Sequence, residues 1–282
     1  MLHSFKSIII SILVVTNIAY TKDIKKIEFS DWNKPKINIF FNSPAYITQN
    51  TEVIFIIHGN SRNADDYLDV WSELAENHNV FLIAPEFNRS NFPSYNTLMM
   101  STSDGRIRKN KDLYLHDSID LIFDYFVEKF ELKAQKYSIY GHSGGSQFVH
   151  RYLLMSNNPK VDKAVAANAG WYTFLNGAPF PYGIKNPPIE LTSDHIRRFL
   201  TTEINILIGS RDVEIDSSVN QSDGANAQGG NRLHRATNFY QLTESVVSDN
   251  NLEFNWKFKV IEGVAHSNSK MSRAAAEILL SN

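Results

Sequence analysis

Short apolar runs alternate along this chain with longer stretches whose apolar residues recur at helical spacing. The runs predict strands over Lys26–Phe29, Ile37–Phe41, Val53–Ile57, Val80–Ala84, Lys136–Tyr140, Lys163–Asn168, Ile204–Ile208 and Trp256–Ile261. The longer stretches predict helices over roughly Ala64–Asn77, Leu115–Phe130, Ser143–Ser156, Asp194–Thr201, Arg232–Val247 and Ser269–Leu280. Alternation of this kind places helices on both faces of a mostly parallel sheet, so the expected fold class is α/β, with an eight-stranded twisted sheet. The first two strands follow one another without a helix, and every later pair is read as joined by a crossover. An antiparallel start followed by right-handed β-α-β units is the resulting topology.

Three connections exceed what a packing turn needs: Glu86 to Tyr114, Tyr172 to Thr192 with four prolines, and the Gly- and Asn-rich segment Asp212 to Asn231. All three follow the C-terminal end of a strand, the edge at which open α/β sheets bind ligands, and they are expected to wall a pocket.

With 43% hydrophobic residues among 282, the chain has enough apolar side chains for one substantial core. Residues 21–282 read as a single catalytic domain, without internal repeats. A formal net charge of -2 gives no basic face for nucleic acid. The absence of cysteine excludes disulfides, thiolate metal sites and a thiol nucleophile, so a hydrolase built on this chain needs an oxygen nucleophile or a non-thiol metal site. At the N-terminus, an apolar run from Ile8 to Ile18 follows His3 and Lys6 and gives way to polar Thr21-Lys22-Asp23. This is the layout of a signal peptide over residues 1–20, with cleavage near Ala19 and a secreted or periplasmic product; a retained anchor is the alternative. No later segment is long and apolar enough to span a bilayer.

The strongest chemical signal is Gly141-His142-Ser143-Gly144-Gly145, placed between a predicted strand and a predicted helix. Ser143 on a strained turn there presents its hydroxyl above the sheet, with glycines where side chains would collide with the neighbouring strand and helix. A serine hydroxyl needs an adjacent base. His266, after the last strand and before the last helix, fits that place, whereas His3, His78, His116, His150, His195 and His234 read as surface or packing residues. The orienting acid is expected after the preceding strand, at Asp212 of Gly209-Ser210-Arg211-Asp212, with Glu214 and Asp216 as rivals. The oxyanion donors are expected to be the N–H groups of Gly144 and of Asn60, in His58-Gly59-Asn60-Ser61-Arg62. His58 reads as a loop-shaping residue and His142 as a packed one pointing away from the hydroxyl. Trp171 and Tyr172 are candidate pocket walls or core residues. Phe180 and Tyr182 are weaker wall candidates, and Arg232 reads as a salt-bridge former or, alternatively, a binder of a substrate carboxylate.

In these segments the chain resembles the α/β-hydrolase superfamily over roughly residues 50–280, and within it the secreted esterases of the polyhydroxybutyrate depolymerase-like and feruloyl-esterase-like group. The resemblance implies hydrolysis of a carboxylic ester or related acyl bond through an acyl-enzyme on Ser143, without metal or organic cofactor. The cysteines frequent in the secreted depolymerases are missing, and no separate binding segment for an insoluble polymer is visible, so a small or oligomeric ester is the expected partner. A peptidase or amidase with the same residues is the enzymatic alternative. A non-catalytic binding protein of the same fold is the other.

Overall fold

The computed structural model describes residues 23–281, and the expected signal peptide lies outside them. In chain order the elements are β1 (Lys25–Phe29), β2 (Ile37–Asn42), β3 (Glu52–Ile57), α1 (Ala64–Leu74), β4 (Val80–Pro85), α2 (Ser118–Phe130), β5 (Tyr137–His142), α3 (Gly144–Met155) and β6 (Val161–Ala167). Next come β7 (Phe174–Pro179), β8 (Gly183–Lys185), α4 (Ser193–Thr201), β9 (Glu203–Gly209), the single turn α5 (Asp223–Asn226), α6 (Arg232–Asp249), β10 (Trp256–Ile261) and α7 (Asn268–Leu279). Eight strands form one sheet in the order β1-β2-β4-β3-β5-β6-β9-β10. Only the β1–β2 and β2–β4 pairs are antiparallel. The order steps outward from β3 in both directions, so the strand ends near β3, β5 and β6 form the switch region where α/β sheets place their chemistry.

Why the strands are apolar throughout is clear from the two cores. Side chains alternate across the sheet: Phe55, Ile57, Ile139 and Ile206 enter one core with α2, α3 and α6, while Ile54, Ile56, Tyr140 and Leu207 enter the other with α1 and α7. In α1 the buried residues Ala64, Tyr67, Leu68 and Trp71 follow helical spacing and cover the second core. The central helix α3 is buried along its whole length. Among the described residues no helix is long and apolar enough to cross a membrane.

The topology corrects one expectation. Not every later strand pair has a crossover helix: β2 reaches β3 through the helix-free loop 43–51, and β2 lies beside β4 rather than β3. An antiparallel strand can return directly to the sheet, so no helix is required there. The long connections are also partly ordered. The first carries 3-10 turns at Tyr95–Thr97 and Lys111–Leu113, the second forms the β7–β8 pair, and the third contains α5. They meet at Tyr182. Its hydroxyl donates to the Ser103 carbonyl at 2.7 Å and lies 2.8 Å from Ser222 Oγ, while Asn220 Nδ2 donates to the same Ser103 carbonyl at 3.0 Å.

Phe126 joins the rings of Phe41, Phe81 and Phe130 with centroid separations of 5.4, 5.8 and 5.5 Å and is fully buried. Phe126→Ala is expected to lower unfolding free energy by about 3–5 kcal/mol, through lost contacts and the cavity left behind. Equilibrium urea unfolding measures this, and a change below about 1 kcal/mol would contradict the packing described.

Candidate active site

Ser143 occupies the turn between β5 and α3 with φ 56° and ψ -116°, a conformation that costs about 1–3 kcal/mol and needs support from its surroundings. The support comes from close backbone contact. A Cβ on Gly145 would stand 2.0 Å from the Ile57 carbonyl oxygen, and one on Gly141 would stand 2.3 Å from the Gly145 carbonyl oxygen. The Ser143 N–H donates to the Ala167 carbonyl at 2.9 Å, and Gln147 N–H donates to the Ser143 carbonyl at 3.1 Å. The glycines expected on steric grounds are thus the positions where no side chain fits.

Two loops bring their side chains to this turn. His266, between β10 and α7, places Nε2 2.9 Å from Ser143 Oγ and Nδ1 2.8 Å from Asp212 Oδ2. Asp212 is buried just beyond β9, and its second oxygen, Oδ1, accepts from Arg232 Nη1 at 3.2 Å. A carboxylate facing Nδ1 fixes the tautomer with the proton on that nitrogen, leaving the Nε2 lone pair toward the hydroxyl. Of the rival acids, Asp216 contacts Arg232 Nη2 and Ser218, and Glu214 offers Arg232 its backbone carbonyl. Neither lies against His266.

Asn168, read from the sequence only as the end of a strand, ties the two loops together. At φ 51° its N–H donates to the Leu207 carbonyl, its Oδ1 accepts from Gly209 N–H at 2.9 Å, and its Nδ2 donates to the Ala265 carbonyl at 3.2 Å. An asparagine among small residues at a strand end was the available signal, since Asn tolerates this left-handed conformation. His142 packs as expected, but against the ring of His266, with centroids 4.8 Å apart, and Tyr67 Oη lies 3.0 Å from its Nδ1. Burial holds His142 well below the usual imidazole range, reinforced by the neighbouring His266 and Arg232.

On the β3 side, His58 accepts the Phe87 N–H on Nε2 at 3.0 Å, so Nδ1 carries the proton and donates to the Gly59 carbonyl at 2.9 Å. Both nitrogens serve the backbone, and burial lowers its pKa to about 3. Tyr95 Oη donates to the His58 carbonyl at 2.7 Å, and Arg89 donates to the Asn60 carbonyl at 2.6 Å. Arg62 lies over the Tyr95 ring at 4.0 Å and donates to the carbonyls of Phe87, Phe92 and Pro93. These bonds fix the loop beside Gly144, where an added Cβ would meet Asn60 Oδ1 at 2.5 Å.

The wall candidates are placed differently. Trp171 and Tyr172 do not overhang the site: Trp171 is buried over the Arg151 guanidinium at 4.0 Å, and Tyr172 stacks on Phe239 at 4.4 Å. The chain turns inward after Asn168: Tyr172 enters the first core, and Trp171 packs against Arg151 and the Tyr182 ring. Phe180 is buried as well, Tyr182 ties the loops, and Arg232 is enclosed in ion pairs rather than open to a substrate. A cavity of about 550 Å³ lined by Lys136, Arg198, Glu203 and Trp256 lies at the opposite edge, where the parallel strands begin. It contains none of these residues.

The sheet order, the turn at Ser143 and the loops around it define a hydrolase fold, and the chain belongs to the α/β-hydrolase superfamily. It is similar to the solved structure of poly(aspartic acid) hydrolase-1 from Sphingomonas sp. KT-1, with a TM-score of 0.84 and 32% identity over 92% of this chain and 98% of that one. It is also similar to LpqC, a poly(3-hydroxybutyrate) depolymerase from Bordetella parapertussis, with a TM-score of 0.82 and 27% identity over 91% and 89% of the two chains. A ferulic acid esterase shares the fold at a TM-score of 0.56 and 15% identity, covering 91% of this chain and 96% of that one. No family model and no curated protein sequence matches the chain.

His58, His142 and His150 are all buried and held below the ordinary imidazole range, chiefly by desolvation. Unfolded, each binds a proton from about pH 6.5 downward; folded, His58 resists to about 3. Their stability contribution is therefore present above about pH 6.5 and is lost as pH falls, by up to about 1.4 kcal/mol per pH unit for each group. Urea midpoints are expected to fall steeply from pH 6.5 toward pH 4, the window set by these shifts. A flat profile there would show that these imidazoles are protonated in the folded protein.

Proposed function

We propose that the protein is a serine hydrolase that cleaves a carboxylic ester or related acyl bond through an acyl-enzyme. One observation carries the reading: His266 bridges Ser143 Oγ at 2.9 Å and the buried Asp212 carboxylate at 2.8 Å. In the proposed reaction His266 Nε2 takes the Ser143 proton as Oγ attacks the substrate carbonyl. The tetrahedral oxyanion accepts from the N–H groups of Gly144, at the start of α3, and of Asn60. His266 then passes the proton to the leaving oxygen, and a water deprotonated by the same nitrogen releases the acyl group. Asp212 holds the ring and stabilises its transient charge. Residues 21–282 act as one catalytic domain in this reading.

A second reading, cleavage of an amide, draws on the named substrate of the 32% identical relative, a polyamide. The two differ in how strongly the leaving group depends on protonation by His266. Parallel assays on aryl esters, acyl chains of increasing length and aminoacyl amides separate them.

Ser143→Ala is expected to lower kcat by about 10⁶-fold while leaving the thermal transition in place, and to abolish labelling by a fluorophosphonate. A labelled, active Ser143→Ala enzyme would refute the assignment, and an unlabelled wild type would favour the non-catalytic binding protein. Asp212→Asn is expected to cost about 10⁴-fold in kcat, because the imidazole loses the partner that sets its tautomer. Damage from Asp216→Asn instead would move the acid. Because the base works only when neutral, kcat/KM is expected to rise with pH through a single ionisation, and two rising steps would require another group. Export of the mature chain is also proposed, and N-terminal sequencing from the native host tests it: a start near Tyr20 supports export, and a start at Met1 in the cytosol refutes it.

A further inference from the structure

The Asp212 carboxylate has two oxygens: Oδ2 faces His266 and Oδ1 faces Arg232. Arg232, the first residue of α6, is 1% exposed, and the segment just after Asp212 wraps its guanidinium. Nη1 donates to Asp212 Oδ1 at 3.2 Å and to the Glu214 carbonyl at 3.4 Å. Nη2 donates to Ser218 Oγ at 2.6 Å and to Asp216 Oδ1 at 3.4 Å. Every one of these acceptors belongs to residues 212–218. The helix carrying Arg232 is fixed at the same end: Leu233 N–H donates to the Asp212 carbonyl at 3.3 Å, and Asn231 Oδ1 accepts from His234 N–H at 2.9 Å.

A planar guanidinium holding one carboxylate oxygen while braced on three other acceptors restrains rotation of that carboxylate, which a single flexible ammonium does not. It also supplies the counter-charge that a buried carboxylate needs. Resting on the catalytic reading above, we propose that Arg232 is the positioning residue of the reaction: it directs Oδ2 of Asp212 at His266 Nδ1 and balances the charge of the carboxylate. It moves no proton itself. The groups facing this ion pair are His266 from the loop after β10, His142 from β5, Tyr172 beyond β6, Asp216 from the wrapping loop and Arg235 one turn along α6. Of these, His266 and Asp216 touch the pair directly.

Opposing charges set the sign of the effect: Asp212 favours a protonated imidazole and the adjacent guanidinium opposes it. Arg232→Met removes charge and fork together, so the acidic limb of the pH–rate profile is expected to move to higher pH, with kcat lowered by roughly 100-fold and KM little changed. Arg232→Lys keeps the charge without the fork, so the limb is expected to stay while kcat falls by roughly tenfold or more. The measurements are kcat and KM for p-nitrophenyl acetate and the rate of fluorophosphonate labelling at Ser143, each across the acid-to-neutral range, with thermal unfolding of every variant. A wild-type enzyme that is not labelled at Ser143 overturns the catalytic reading and this proposal with it. A labelled wild type with both variants at wild-type rates overturns the proposal alone. So does a rate loss in Arg232→Met with an unmoved limb, which would leave Arg232 a structural brace. Should Arg232→Met not fold, wild-type kcat in Arg232→Lys is still sufficient to overturn it.

Discussion

The contact of the Gly145 backbone with the Ile57 carbonyl is the constraint from which the site is organised. It sets the start of α3 against the end of β3, next to the positive-φ turn at Ser143. On one side it brings the His58-Gly59-Asn60 loop beside Gly144. On the other, Ser143 N–H binds the end of β6, Asn168 binds the ends of β9 and the His266 loop, and Arg232 binds the loop after β9. The ends of β5, β6, β9 and β10 are thereby linked by short polar contacts across the sheet. The strain at Ser143 is held by its own backbone bonds, from its N–H to the Ala167 carbonyl and from Gln147 N–H to its carbonyl.

The charged groups near this array are held mostly by backbone. Arg62 rests on three carbonyls and the Tyr95 ring, and burial lowers it to about 10. Arg151, fully buried and lowered to about 9, lies on Trp171 and donates to Thr173 Oγ1 and the carbonyls of Asn96 and Gln147. Both cations bond to neutral acceptors and leave Asp212 to other partners. Among the described residues the Asp212 carboxylate bonds His266 and Arg232, so its orientation is set with the loop and the helix that carry them.

The eight sheet strands and the larger helices were legible in the sequence because both cores demand apolar residues at regular spacing. The Ser143 turn was legible because its sterics permit little besides glycine at 141 and 145. Sheet order was not: nothing local to Ile37–Asn42 distinguishes a neighbour in β4 from one in β3. Trp171 and Tyr172 were ambiguous for a similar reason, since an aromatic pair after a strand reads the same whether the chain turns outward or inward. Its inward course depends on Phe239 and Arg151, distant in sequence. The bonds of Asn168 join β9 and the loop after β10, neither of which is adjacent to it in the chain. Arg232 was recognised as a salt-bridge former, but its partner could be identified only once α6 was placed against the Asp212 loop.

The three long connections constrain one another. Tyr182 holds Ser103 and Ser222 through one hydroxyl, and its ring fills the space over Gly224, where an added Cβ would stand 2.3 Å away. Each loop is thus part of the environment that shapes the other two. Substitutions in them are expected to be epistatic, with an exchange in one loop altering the conformation against which the next is selected. Diversification would then proceed by coordinated replacement of all three loops, and a single grafted loop would arrive without the surface it was shaped to meet.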